Sequence, residues 1–182
     1  MRITGGSLCG RKIRVPEGVI RPAMDRMRES VFAVLGDLTG YSFLDLFSGS
    51  GIIALEAASR GADPVEAVEM DSVKRSVLIE NVAIAPVRIS CRFMAAELYI
   101  RRAKRGFDLI FCDPPFPYRF KKELLESIAA SPLVTPGSLV LLHRPREDRP
   151  GDVVGRLALE DRREYGRSIV DFFRCPKDEP SD

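Results

Sequence analysis

At 182 residues, 45% hydrophobic and 30% charged, the chain has the size and balance of one globular domain able to bury a sizeable core. Its net charge of +2 supports no argument for nucleic-acid binding from the total, and no apolar run approaches the ~18 residues of a membrane span or forms a leader, so the chain reads as cytoplasmic. One histidine, His143, and four singly spaced cysteines, Cys9, Cys91, Cys112 and Cys175, argue against a metal site and a His-based triad, and no metal is expected.

Charge is concentrated at the start. Between Met1 and Arg28 the basic residues Arg2, Arg11, Lys12, Arg14, Arg21, Arg26 and Arg28 outnumber Glu17 and Asp25. Such an arm suits a phosphate backbone, and it equally suits a solvated segment that keeps the protein soluble. Residues 1–40 read as an extension of the same domain, a basic hairpin followed by a helix from about Met24 to Leu35. The main body is expected over 41–175, with a polar tail over 176–182.

Within that body short apolar runs alternate with helical patterns, the mark of strand–helix–strand units and a parallel sheet. Residues 42–47 read as a strand, 51–60 as a helix and 65–69 as a second strand. Asp71 caps the next helix, which carries Val73, Val77 and Leu78 on one face and ends near Asn81. A third strand over 87–91 and a helix over 97–104 follow. Residues 107–112 are expected as a strand buried on both faces, 120–130 as a helix with Leu124, Leu125 and Ile128 inward, and 138–142 as a fifth strand. Residues 157–163 and 168–173 flank Glu164-Tyr165-Gly166-Arg167 and read as an antiparallel hairpin. The fold class predicted is α/β, a Rossmann-like, mostly parallel seven-stranded sheet closed by an antiparallel hairpin, as in class I methyltransferases.

Asp45-Leu46-Phe47-Ser48-Gly49-Ser50-Gly51 lies at the first strand-to-helix turn, where glycines let a ligand approach the backbone and the helix offers free N–H groups. Twenty positions after Gly49, Glu69 ends the second strand, where a carboxylate can accept both hydroxyls of a ribose. These two features fit NAD and S-adenosylmethionine alike. Asp45 tips the balance, because a carboxylate near the turn suits the ammonium of an amino-acid cofactor and repels a pyrophosphate.

The fourth strand runs into Asp113-Pro114-Pro115-Phe116. In a doubly wound sheet this loop and the glycine turn share the rim at the C-terminal strand ends. A base's exocyclic amine is a poor nucleophile because its lone pair is delocalised into the ring. The Asp113 carboxylate and the Pro114 carbonyl could grip its two N–H bonds and free that lone pair for in-line methyl transfer. Pro115 stiffens the loop, and Phe116 offers a face for a flipped base. Arg144 and Arg146 follow the fifth strand and read as an RNA-phosphate contact or as a solvated loop, while His143 reads as a strand-end residue outside the proton chemistry.

Taken in order, Gly5-Gly6, Gly10-Arg11-Lys12, Arg21-Pro22, Asp25-Arg26, Arg28-Glu29, the turn of residues 45–51, Leu55-Glu56-Ala57, Glu69-Met70-Asp71 and Asp113 to Phe116 resemble the bacterial RsmD family of 16S ribosomal RNA guanine-N2 methyltransferases. The resemblance implies a single-domain monomer acting on the assembled small ribosomal subunit. It also implies S-adenosylmethionine gripped by the glycine turn, Glu69 and the block around Arg21. The candidate cofactor residues are then Arg21, Asp45, Phe47, Ser48, Gly49, Gly51, Glu69, Met70 and Asp113, and the candidate RNA residues, from the basic arm and the loop after the fifth strand, are Arg11, Lys12, Arg26, Arg28, Arg144 and Arg146. Two places depart from the family's pattern: Ala23-Met24, where threonine usually follows Arg-Pro, and Phe93-Met94, where Asp or Asn usually meets the adenine amine. Adenine-N6 methylation of DNA or RNA, a non-catalytic ribosome assembly factor and a nicotinamide oxidoreductase are the competing readings.

Overall fold

The computed structural model describes residues 1–15 and 22–177, so Arg21 and the end of the polar tail lie outside the described residues. The chain divides into two compact units, Met1–Ala96 and Glu97–Asp182.

In the first unit, helix α1 spans Pro22–Leu35, followed by β1 (Phe43–Asp45), α2 (Ile52–Ser59), β2 (Val65–Val68), α3 (Arg75–Val82) and β3 (Ile89–Arg92). The strands run parallel in the order β3-β2-β1, with Phe43 beside Val65 and Val65 beside Ile89. Every residue of β1 and β2 is buried, as expected of parallel strands covered on both faces. Helix α2 is likewise buried along its whole length, which explains its apolar composition all round. Part of its cover is the N-terminal arm. Thr4 N–H donates to Glu56 Oε1 at 2.7 Å, and Leu8 N–H donates to Ser59 Oγ at 2.8 Å. In the expected basic hairpin Arg2 and Lys12 form an antiparallel bridge, flanked by Ile3 N–H donating to the Arg11 carbonyl at 3.0 Å and Ile13 N–H donating to the Met1 carbonyl at 3.1 Å, with a 3-10 turn at Gly6–Leu8 between the two arms.

Asp71 caps as expected, its Oδ1 accepting from Val73 N–H at 2.9 Å, but the turn it starts is a 3-10 turn at Ser72–Lys74. That change of period turns Val73 outward, 81% exposed, while Leu78 on α3 stays buried.

The second unit contains α4 (Ala96–Arg102, beginning at the boundary), β4 (Leu109–Cys112), α5 (Lys121–Ala130), β5 (Leu139–Pro145), β6 (Val153–Val154), β7 (Leu157–Tyr165) and β8 (Ser168–Arg174). β4 and β5 are parallel, with Leu109 beside Leu139 and Cys112 beside Leu142. β8 runs antiparallel to β5 and to β7, and β6 pairs antiparallel with β7. The core gathers Phe107, Phe111, Leu124, Leu125, Ile128, Val140, Leu141 and Phe173. The expected hairpin is present with longer arms, so only Gly166 and Arg167 remain between its strands. The two-residue β6 makes eight strands among the described residues, where the sequence pattern predicts seven.

Candidate active site

The first unit holds the glycine turn. β1 ends on Asp45, whose carboxylate is buried, and Ser48 Oγ donates to the Asp45 carbonyl at 3.0 Å. Ser48 N–H donates to the Val68 carbonyl at 2.9 Å, tying the turn to β2. Gly49 and Gly51 have φ of 53° and 83°, the left-handed region that side chains disfavour. Space beside Gly49 is open to 4 Å, whereas a Cβ on Gly51 would lie 2.7 Å from Leu78 Cδ1. Gly49 therefore leaves room for a ligand, and Gly51 lets α2 pack against α3.

Glu69, expected as a ribose acceptor, also builds the turn. Its Oε2 accepts from Gly49 N–H and its Oε1 from Asp71 N–H, both at 2.7 Å. Each oxygen keeps a second lone pair for a hydroxyl. Met70, beside it, is 72% exposed, and with Val73 it offers apolar surface next to the carboxylate. Phe93, where the family pattern is broken, lies under the Arg75 guanidinium at 4.5 Å from the ring centroid. Asn81 completes this half and went unnoticed in the sequence. Its Nδ2 donates to the Ser50 carbonyl at 2.8 Å and to the Arg14 carbonyl at 2.9 Å, while its Oδ1 accepts from Arg14 N–H at 3.0 Å. One buried amide thus clamps the N-terminal arm to the glycine turn.

The second unit holds the Asp-Pro-Pro-Phe loop. Asp113 follows β4 directly and its side chain is 19% exposed. The β4–β5 register, extended by one residue, places His143 alongside. His143 Nδ1 lies 2.7 Å from Asp113 Oδ1, and the Phe116 ring meets the imidazole edgewise at 5.4 Å and 63°. Pro114 is buried and Pro115 exposed, and Tyr118 N–H donates to the Pro115 carbonyl at 2.8 Å, closing a turn. Lys121, at the start of α5, is buried beneath this turn. Its Nζ donates to the Phe116 carbonyl at 2.9 Å and to the Tyr118 carbonyl, and pairs with Asp148 at 2.9 Å. Tyr118 Oη donates to Glu97 Oε1 at 2.6 Å; burial first, then this bond and the carboxylate's charge, push its phenol well above the usual range. The loop is consequently held from both ends by groups outside the four-residue motif.

The family described as Conserved hypothetical protein 95 matches residues 1–174. The chain belongs to that family, the RsmD family. The protein named ribosomal RNA small subunit methyltransferase D of Escherichia coli K12 is 37% identical over 120 residues, 64% of this chain and 60% of that one. Its namesake in Haemophilus influenzae is 29% identical over 82% of this chain and 81% of its own length. Among solved structures, the yhhF protein of Escherichia coli is 28% identical, with a TM-score of 0.87, over 97% of this chain and 98% of that chain. The fold is the α/β fold of S-adenosylmethionine-dependent methyltransferases.

The basic arm and the loop after the fifth strand offer arginines for RNA, and the structure divides them. Arg11, Lys12 and Arg26 are exposed. Arg28 is not: its Nε pairs with buried Glu56 at 3.2 Å, Nη1 with Asp25 at 2.8 Å, and Nη2 donates to the Arg2 carbonyl at 2.8 Å. Arg144 is buried as well, with Nε 2.5 Å and Nη2 3.2 Å from the two oxygens of Asp171, and Arg162 pairs with the same carboxylate at 2.6 Å. Two of the expected RNA ligands are thus internal ion pairs, since a guanidinium out of water needs a carboxylate beside it. Arg146 is exposed and pairs with Glu164.

Proposed function

We propose that this chain transfers a methyl group from S-adenosylmethionine to the exocyclic N2 amine of a guanine in small-subunit ribosomal RNA, acting as a cytoplasmic monomer on the assembled subunit. The observation that carries the reading is the Asp113 carboxylate, anchored by one oxygen and partly exposed at the end of a fully buried strand, within a Pro-Pro-Phe loop fixed by Lys121. The names of the Escherichia coli and Haemophilus influenzae relatives support ribosomal RNA as the substrate class.

The first unit's residues fit the cofactor by chemistry. Asp45 offers a buried carboxylate for an ammonium, Glu69 keeps lone pairs for a ribose diol, and the space beside Gly49 admits a ligand. When bound, S-adenosylmethionine supplies a methyl group activated by its sulfonium. Asp113 and the Pro114 carbonyl accept the amine's two N–H bonds and localise its lone pair on nitrogen. With its lone pair localised, the nitrogen would be ready to accept the methyl group that the bound cofactor would supply, and Asp113 would take up the proton the nitrogen then sheds. Phe116 stacks on the base. Among the expected RNA ligands, Arg11, Lys12, Arg26 and Arg146 remain assigned to phosphates, and Arg21 to the cofactor.

The test is incubation of the purified chain with labelled S-adenosylmethionine and small ribosomal subunits from a strain deleted for the gene, followed by nucleoside mass spectrometry. N2-methylguanosine in the small-subunit RNA is the expected product. Label in N6-methyladenosine, or no label at all, would overturn the assignment.

A further inference from the structure

We propose that His143 is the positioning residue for Asp113: its Nδ1–H holds one carboxylate oxygen so that the other faces the amine. This deepens the methyl-transfer reading and rests on it.

The strands bring the two side chains together. Cys112 pairs with Leu142 in parallel register, so the next residues, Asp113 and His143, stand side by side and project from the same face of their strands. His143 is 2% exposed, and its Nδ1 is 2.7 Å from Asp113 Oδ1. An ionised carboxylate only accepts, so the proton between them belongs to Nδ1. The other ring nitrogen, Nε2, is buried and has no hydrogen-bond partner among the described residues. A neutral ring leaves a bare acceptor there, while a charged ring would bury an unpaired cationic N–H, the costlier arrangement. Imidazole is therefore neutral and in its Nδ1–H form, a fixed donor aimed at Asp113.

Two further contacts remove the ring's freedom. β8 pairs with β5 and sets Val170 opposite His143, and Phe116 packs edgewise on the imidazole. The imidazole thus fixes both the aspartate and the aromatic of the same loop. Carboxylates otherwise rotate about the Cβ–Cγ bond. With Oδ1 engaged, the rotation is arrested and Oδ2 is the oxygen left for an amine N–H. A geometric error of about an ångström in such a group costs on the order of 100-fold in rate.

Because the chain has one histidine, two kinds of measurement isolate it. In untagged, nitrogen-15-labelled protein, imidazole two-bond spectra report the tautomer of His143 alone. The Nδ1–H form is expected, with its signal displaced in Asp113→Ala; an Nε2–H form would overturn the proposal whatever the enzyme does. The second measurement compares His143→Asn, His143→Gln and His143→Leu for turnover on small ribosomal subunits and for S-adenosylmethionine affinity by calorimetry. Asn places its amide nitrogen where Nδ1 was, whereas Gln places it where Nε2 was. Gln and Leu are expected to lower kcat by about 100-fold with cofactor Kd and KM within about threefold, and Asn to restore kcat to within about tenfold of the native enzyme. Comparison of the two amides keeps the result readable even if Leu destabilises the fold. Equal kcat for native and Gln proteins, or an Asn variant as slow as Gln, would overturn the positioning role. Absence of guanine methylation by the native protein would instead overturn the methyl-transfer reading, and the tautomer would still decide whether His143 holds Asp113.

Discussion

Replacing Glu69 with Gln tests whether one carboxylate both builds the glycine turn and binds the cofactor. In the native protein it accepts two backbone N–H groups at 2.7 Å, from Gly49 and Asp71, and the residue is buried. Hydrogen bonds to charged groups contribute roughly 1.5–3 kcal/mol each. Gln keeps one acceptor and turns the other into an NH2 that confronts a backbone donor, so one bond is lost and the remaining one loses its charge. A loss of about 2–3 kcal/mol follows, which for a chain of this size lowers Tm by roughly 4–12 °C. The same change removes the charged acceptor for a ribose diol and loosens Gly49, so S-adenosylmethionine affinity falls at least about 30-fold, or 2 kcal/mol. Thermal denaturation and titration calorimetry measure the two effects separately. A variant with native Tm and native affinity would refute both roles. Loss of affinity at unchanged Tm would show that the turn stands without Glu69.

Asp113→Ala is expected to abolish most methylation of small-subunit RNA while S-adenosylmethionine affinity stays within about threefold, because the carboxylate acts on the amine; single-turnover assays and calorimetry give the two numbers. Glu56→Ala removes the buried partner of Arg28 and Arg60 and an acceptor for Thr4 N–H, so stability falls by about 3–5 kcal/mol, and the loss is partly recovered when Arg28 is also replaced by Met. Chemical denaturation of the single and double variants measures this, and additive losses would speak against a coupled pair. Gly51→Ala forces a left-handed φ and a 2.7 Å approach to Leu78, and Tm should fall, with recovery of the steric part in Gly51→Ala/Leu78→Ala. Tyr118 keeps its proton above the ordinary phenol value of ~10, so its contribution to stability is complete below that pH and is lost only as pH rises through the higher folded value. Alkaline absorbance titration should show a late-ionising phenol that is lost in Tyr118→Phe; a titration identical in native and Tyr118→Phe proteins apart from one ordinary phenol would contradict the Tyr118–Glu97 bond.

What the sequence disclosed was local and periodic. Leu109–Cys112 and the first four residues of β5, 139–142, are apolar because both faces are covered, and short apolar runs between turns identify such strands. The glycine turn and the Asp-Pro-Pro-Phe loop follow from strand ends, which such runs also locate. Val73 departs from the helical spacing because a 3-10 turn breaks the period there, and β6 is not legible because two residues carry no period. His143 was assigned no chemistry for a deeper reason. Its role depends on the register between two strands 30 residues apart, and nothing within either strand specifies that register. Lys121 and Asn81 escaped for the same cause: their partners are loop carbonyls fixed only when the chain has folded.

The arginines carry the argument furthest. A guanidinium in a sequence is compatible with a phosphate ligand, a solvated charge or an internal brace, and composition does not separate them. In the N-terminal arm Arg28 reaches inward to Glu56, and Arg14 pairs with Glu80 at 2.5 Å while its backbone is clamped by Asn81. Glu56 and Asn81 lie on helices that flank the glycine turn, so the residues that dock the arm are connected to those that shape the turn. The arm's basic character thus serves first to fasten it to the first unit. Among its described basic residues, Arg11, Lys12 and Arg26 are exposed and enter no ion pair that competes with phosphate. If those charges bind RNA as proposed, an arm fastened this way lowers the ordering cost of engaging it. On the proposed RNA reading, basic residues that never touch the RNA serve its recognition by holding those that do.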